Sequence, residues 1–257
     1  MAPLNTEGGA EQRSAMWHAE RAGSATGSRF ADSVAFKKDG KETATRRDYR
    51  LQCVVERLTG IPKSSFSTKP MERGQELEPE ARTRYEMASG NDVELIGFVN
   101  HPEIEWCGVS VDGLVDEDGT IEIKCPNPET HMATLMLRSE ALAKVLLGEA
   151  QANPAVLVPE EHMPQIQGGL WVTGRKWCDF ISYDPRFPKH LQLYIERVYR
   201  DEAYIAKLEA GVRKFLEEVE EAVTMILGVD AASAAPDAPA VNDIFSAMAG
   251  VKAAVAA

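Results

Sequence analysis

The sequence predicts an α/β fold in which a mixed β-sheet is flanked by helices. Three observations lead there. Short runs with strand character alternate with stretches of helical periodicity, in an order that suits neither a pure bundle nor a pure sandwich. The chain is 44% hydrophobic and 26% charged, the balance of a globular protein with a sizeable core. Its 257 residues fit one large body with appendages, and no run of 18 apolar residues suggests a membrane span. We expect a polar segment over 1–15, a folded body over 16–228 and an Ala/Pro-rich, flexible tail over 229–257.

The elements follow in order. Leu51, Val54, Val55 and Leu58 recur at helical spacing and Gly60 and Pro62 stop the run, so the apolar face of a helix is expected there. Its other face carries Arg46, Arg47, Arg50 and Arg57. A second helix is expected over 72–88, with Gly90 beyond its end. Pro79 lies inside it and, having no N–H for the carbonyl of Gln75, should kink it or tighten a turn. Strands are expected at 93–99, 106–111, 114–115 and 120–124, with an Asp-Glu-Asp-Gly turn over 116–119 between the last two. A helix over 130–147 precedes a loop with Pro154 and Pro159. Pro164 suits the first position of the next helix, which carries Gln165 and Gln167. Two strands, 177–183 and 191–198, are joined by an Asp184-Pro185-Arg186 turn. A long helix over 202–227 then shows an apolar stripe from Ile205 to Ile226 and is ended by Gly228. The last 29 residues hold 12 alanines and two prolines, the composition of a linker with a weak terminal helix.

Charge narrows the function. With 40 acidic and 28 basic residues the net charge is −12, which argues against a general nucleic-acid coat or a polybasic membrane binder. Residues 29–73 run the other way, with 11 Lys/Arg against 6 Asp/Glu, so a basic groove on an acidic body stays open. Cys53, Cys107, Cys125 and Cys178 form no C-x-x-C pair and have no histidines at zinc spacing. They read as reduced thiols of a cytoplasmic protein, and the first 14 residues lack a signal-peptide pattern.

The most informative stretch is S-V-D-G-L-V-D-E-D-G-T-I-E-I-K-C-P, Ser110 to Pro126. Strand alternation puts Glu122 and Lys124 on one face and Ile121, Ile123 and Cys125 on the other. If the turn centres at Glu117, facing residues have numbers summing to 234 and Asp112 falls opposite Glu122. Carboxylates roughly 4.5–5.5 Å apart at Cβ repel unless a cation lies between them, and hard oxygen donors suit Mg²⁺ or Mn²⁺. A surface hairpin with a plain Glu–Lys pair is the competing reading. Upstream, W-H-A-E-R-A-G-S-A-T-G-S (Trp17 to Ser28) gathers Arg21 with Ser and Thr hydroxyls around two glycines. That is suitable chemistry for a terminal phosphate, or else an ordinary turn and cap cluster.

Five motifs, W-H-x-x-R-x-G-x-x-T-x-S at Trp17, G-x-x-x-E-x-x-A-R at Gly74, D-G-L with E-x-K-C-P at Asp112, Q-x-Q-x-x-x-W-V-T at Gln165 and Y-D-P-R at Tyr183, occur in one order. Together they resemble the YqaJ-type viral recombinase nucleases over about residues 17–225. The resemblance implies a PD-(D/E)XK restriction-endonuclease-like core over 16–228 and a Mg²⁺-dependent 5′→3′ exonuclease. Its substrate would be linear double-stranded DNA, its assembly a homotrimeric ring, and its companion a single-strand annealing recombinase in a phage-infected or lysogenic bacterium. Position by position, Asp112, Glu122 and the Ile123 backbone carbonyl would hold metal. Glu78 would hold a second ion or its water, Lys124 would orient or activate the attacking water, and Gln165 would support it. Arg21, Ser28 and Thr26 would form a 5′-phosphate pocket, and Arg46, Arg47 and Arg50 would touch the DNA backbone. Mn²⁺ should substitute for Mg²⁺, with two ions per site. Val111 stands where the family has proline, 138–163 is longer than expected, and the alanine-rich tail has no counterpart. An endonuclease or single-strand nuclease on the same fold is the nearest alternative, and a non-catalytic DNA-binding scaffold the more distant one.

Overall fold

The computed structural model describes residues 12–64, 68–147 and 157–233, so the tail from 234 and most of the polar first segment lie outside the described residues. The chain divides into two compact units.

One unit comprises Ser65–Ile96 and Val111–Glu202. Its centre is a four-stranded sheet in the order β4-β5-β6-β7, from Gly113–Val115, Gly119–Lys124, Trp177–Tyr183 and Leu193–Tyr199. β5 pairs antiparallel with β4 and parallel with β6, and β6 pairs antiparallel with β7, which makes the sheet mixed. Helices α4 (Lys69–Ser89), α5 (Pro128–Leu146) and α6 (Met163–Thr173) belong to this unit. Helix α4 runs on through Pro79 and ends where Gly90 takes φ 75°, a left-handed conformation that glycine adopts without Cβ strain. Its Ala81 and Tyr85 pack against Val115, Ile121, Ile123, Ile181 and Tyr183, so the apolar face of β5 lies in a core as its alternation predicted. Polar ties add to this packing. Tyr85 donates to Asp179 Oδ2 at 2.7 Å, Tyr183 donates to Glu80 Oε1 at 2.7 Å, and Arg197 grips Asp179 with two bonds of 2.8 Å.

The Asp184 turn is closed by charge. The Asp184 carboxylate is fully buried and accepts bonds from the Arg186 backbone N–H, the Arg186 guanidinium and Arg73 of α4. Burial alone would raise its pKa, but the Arg186 bonds and the charges of Arg186 and Arg73 outweigh it and hold the carboxyl below its ordinary value. A depressed carboxylate pKa stabilises the fold above the unfolded value of about 3.9 and loses that contribution as pH falls through the folded value. Asp184→Asn should therefore lower the melting temperature at pH 7. The gap to wild type, followed by thermal melts, should close progressively below about pH 4.

The second unit comprises the described residues of 12–64 with Gly97–Ser110 and the chain from Ala203. A three-stranded sheet in the order β1-β3-β2 is built from Ala25–Thr26, Cys107–Val109 and Val99–Asn100. Helices α1 (Ala15–Arg21), α2 (Phe30–Ser33) and α3 (Ala44–Thr59) accompany it, with α7 (Glu202–Ser233), of which all but the first residue falls here. The stripe of α7 is buried from Ile205 to Val223, whereas Ile226 is 45% exposed and the helix continues past Gly228.

Helix α3 corrects the sequence reading. Its buried face is Arg46, Tyr49, Cys53, Val54, Glu56 and Arg57, while Leu51 and Val55 are exposed. Arg46 lies over the Phe36 and Phe215 rings and bonds both Glu42 and Glu218 at 2.7 Å. Arg57 covers Trp106 and reaches Glu220 at 2.9 Å. Long arginine stems supply apolar surface, and carboxylates distant in the chain neutralise their heads. Arg46, only 1% exposed, is thus withdrawn from any DNA backbone. Arg50 is held by Glu42, and Arg47 projects outward beside Asp48. The expected strand over 93–99 is also reduced. Only Val99 is in a strand, and Glu94 makes a single bridge to Leu114.

Candidate active site

The hairpin takes the register its alternation required. Gly113 faces Ile121, Leu114 faces Thr120 and Val115 faces Gly119, and the Asp112 N–H donates to the Ile121 carbonyl at 3.3 Å. The turn has no slack. Asp116 takes φ 46°, and one nitrogen of Arg175 donates to the carbonyls of Val115, Asp116 and Gly119 at 3.1, 2.7 and 2.8 Å.

At Asp112 the ladder departs from the sum of 234, since its N–H goes to Ile121 and not to Glu122; its Oδ2 accepts the Ile123 N–H at 2.7 Å, and the Glu122 charge acts on its carboxyl. A strand residue directs its N–H and C=O to the same edge, so the Ile123 carbonyl also points to the edge where Asp112 stands, past the end of β4. On the polar face of β5, Lys124 Nζ is 2.6 Å from Glu122 Oε1 and donates to Gln165 Oε1 of α6 at 3.2 Å. Glu78 on α4 is paired with Arg82 at 3.0 Å, and its charge is felt by both Asp112 and Lys124. Contacts join Glu122, Lys124 and Gln165, and Asp112 is tied to the same strand by the Ile123 N–H. Glu78 enters through its field.

Burial and neighbouring charge set the protonation of the cluster. Burial, then the charges of Glu122 and Glu78, push the Asp112 carboxyl well above the usual range, against the pull of Lys124 and the Ile123 N–H. Burial works against the Lys124 charge, but Glu122, Asp112 and Glu78 outweigh it and raise its pKa, so it is an ammonium at neutral pH. Asp112 and Glu122 share the Lys124 ammonium while Glu78 pairs with Arg82, an oxygen-rich donor set that a hard divalent cation fits. Among the described residues no three acidic, imidazole or thiol groups converge into a closed metal cage.

A second cluster lies in the other unit. Arg21 ends α1 and donates to Ser28 Oγ at 3.3 Å and Ser110 Oγ at 3.1 Å, while Trp17 Nε1 also reaches Ser110 Oγ at 2.9 Å. The Arg21 guanidinium lies 4.0 Å over the Trp17 ring. Hydroxyl acceptors orient a guanidinium without cancelling its charge. Burial lowers the Arg21 pKa to about 10, against the raising influence of Tyr49 and Glu56, which leaves it charged at neutral pH. Thr26 is buried in β1, two residues before Ser28, and its N–H is taken by Tyr49. Ser110 was missed by sequence reasoning. Its one local signal is its place two residues ahead of Asp112, because its partners lie about 90 residues earlier.

An acid at the start of a strand hairpin, then Glu-x-Lys on an inner strand of a mixed sheet, marks the restriction-endonuclease-like nuclease core. The chain belongs to the YqaJ-like viral recombinase domain family, whose model matches residues 16–176. The crystal structure of an alkaline exonuclease (LHK-Exo) from Laribacter hongkongensis is similar at a TM-score of 0.70 and 37% identity, over 86% of this chain and 100% of that one. The same enzyme is known in complex with dAMP. A phage-related exonuclease from Haemophilus somnus 129PT shares the fold at a TM-score of 0.58 and 16% identity, over 79% of this chain and 96% of that one. The uncharacterized protein ExoD of Escherichia coli (strain K12) is 32% identical over 69 residues, 27% of this chain and 78% of that protein. No helix among the described residues is long and apolar enough to cross a membrane.

Proposed function

We propose that the protein is a Mg²⁺-dependent exonuclease that degrades one strand of linear double-stranded DNA in the 5′→3′ direction, starting from 5′-phosphorylated ends. The observation that carries this is the in-register hairpin, which clamps Asp112 on the Ile123 N–H beside Glu122 and Lys124. The exonuclease activity of the Laribacter relative supports the reaction class, and its binding of dAMP supports a mononucleotide product.

Asp112, Glu122 and the Ile123 carbonyl would hold the cation, with Glu78 holding a second ion or its water. Bound there, Mg²⁺ or Mn²⁺ would neutralise phosphodiester charge and lower the pKa of a water. The chain's own residues do the remaining work. Lys124, protonated, donates to the attacking water or the phosphate rather than removing a proton. Gln165 fixes the Lys124 ammonium from α6. Arg21, with Ser28, Ser110 and Thr26, receives the 5′-phosphate and sets the direction of travel. Exposed Arg47 remains a candidate backbone contact, with Arg50 beside it. The remaining 3′-ended strand suits an annealing recombinase as partner, and a homotrimeric ring in the cytoplasm of a phage's bacterial host would keep the enzyme on its DNA.

The test is a digestion time course on linear duplex DNA labelled at one end, comparing 5′-phosphate, 5′-hydroxyl and a closed circle. Mononucleotides should appear fastest from 5′-phosphorylated ends, the circle should persist, and EDTA should stop all cleavage. A nicked or linearised circle would replace the reading with an endonuclease. Absence of any metal-dependent product would leave a DNA-binding scaffold.

A further inference from the structure

Beside Lys124 lies a cavity of about 200 Å³ that the reading so far leaves without a task. Its walls include Lys124, Thr130, Glu161, His162, Phe180 and Ser182, all within one compact unit. The His162 ring stacks on Phe180, centroids 5.2 Å apart and planes inclined by 26°. Phe180 is 1% exposed, so it backs the imidazole without reaching solvent. Burial, with the Lys124 charge, pushes the His162 pKa down to about 4, so the imidazole is a neutral flat ring at working pH. Ser182 Oγ is already engaged at 2.8 Å with His131 Nδ1, and Phe180 offers no polar edge.

We propose that this cavity receives the base of the nucleotide being cut, laid on the His162 ring. The inference rests on the nuclease reading, since it starts from a phosphodiester held at Lys124. Three features support it. Lys124 is shared, so a nucleotide whose phosphate meets that ammonium has its sugar and base within reach of the cavity. The volume suffices for an aromatic ring, since a cavity of about 150 Å³ accepts benzene. The chemistry of the walls is also selective in a useful way. A neutral aromatic platform grips any base by its π-face, as degradation of arbitrary sequence requires.

The experiment is calorimetric titration of the full-length protein with dAMP, dTMP and 2-deoxyribose 5-phosphate in Mg²⁺. Wild type, His162→Ala and His162→Phe are compared. Base stacking measured by alanine substitution predicts that His162→Ala weakens both nucleotides about 5- to 150-fold and leaves the sugar phosphate unchanged, with His162→Phe close to wild type. Equal weakening of all three ligands would show a general disturbance of the site, and unchanged nucleotide binding would show an unused cavity. Either result overturns the proposal. A protein that binds in the expected pattern yet never shortens DNA would keep the pocket and defeat the exonuclease reading. One that shortens DNA with nucleotide affinity indifferent to His162 would do the reverse.

Discussion

Lys124→Ala should lower kcat by about 10³-fold while leaving duplex affinity within about twofold. The ammonium is held between Glu122 and Gln165, so its position is fixed before substrate arrives and it loses nothing to reorganisation. Its raised pKa keeps it an ammonium, which suits a donor to developing charge. DNA affinity comes from many phosphate contacts, and removing one cation lowers the salt slope by about one at most. Single-turnover kinetics and a binding isotherm on the same duplex separate the two quantities. A variant that keeps a tenth of the wild-type rate would exclude Lys124 from the chemistry.

Arg21→Ala should erase the preference for 5′-phosphorylated over 5′-hydroxyl ends. A hydrogen bond to a charged group is worth about 1.5–3 kcal/mol, so the wild-type ratio is expected at about 10- to 150-fold and the variant's near one. Arg21→Lys should restore only part, because an ammonium lacks the guanidinium fork that spans two phosphate oxygens. The preference also carries a pH signature. A terminal phosphate stays doubly charged above about pH 6, whereas Arg21 loses its proton near 10. The ratio should hold across neutral pH and decline above about pH 10. If Arg21→Ala digests both ends in the wild-type ratio, the pocket is elsewhere.

Local patterns were legible in the sequence, and distant partners were not. The hairpin register followed from centring the turn at Glu117, because both ends of each pair lie within a dozen residues. Strand β6 was bounded correctly, whereas β7 starts two residues late because Lys189–Leu191 closes a 3₁₀ turn. The run at 93–99 failed for a physical reason. Its apolar residues do not alternate, Leu95 is 61% exposed, and only the bridge at Glu94 joins it to β4. The inversion of α3 arose because Phe215, Glu218 and Glu220, which satisfy Arg46 and Arg57, lie about 160 residues further on. Periodicity within one helix carries no trace of them. Ser110 escaped for the same reason, its partners Trp17 and Arg21 lying about 90 residues earlier.

The Arg175 clamp on the hairpin turn has a consequence for which sequences this site tolerates. One guanidinium nitrogen meets the carbonyls of Val115, Asp116 and Gly119 together, and the three-residue path through 116–118 is what brings them to it. Hairpins close with loops of several lengths, so an insertion or deletion here can keep the strand pairing and still part the three carbonyls. Natural or engineered indels in this turn should therefore be accompanied by change at position 175.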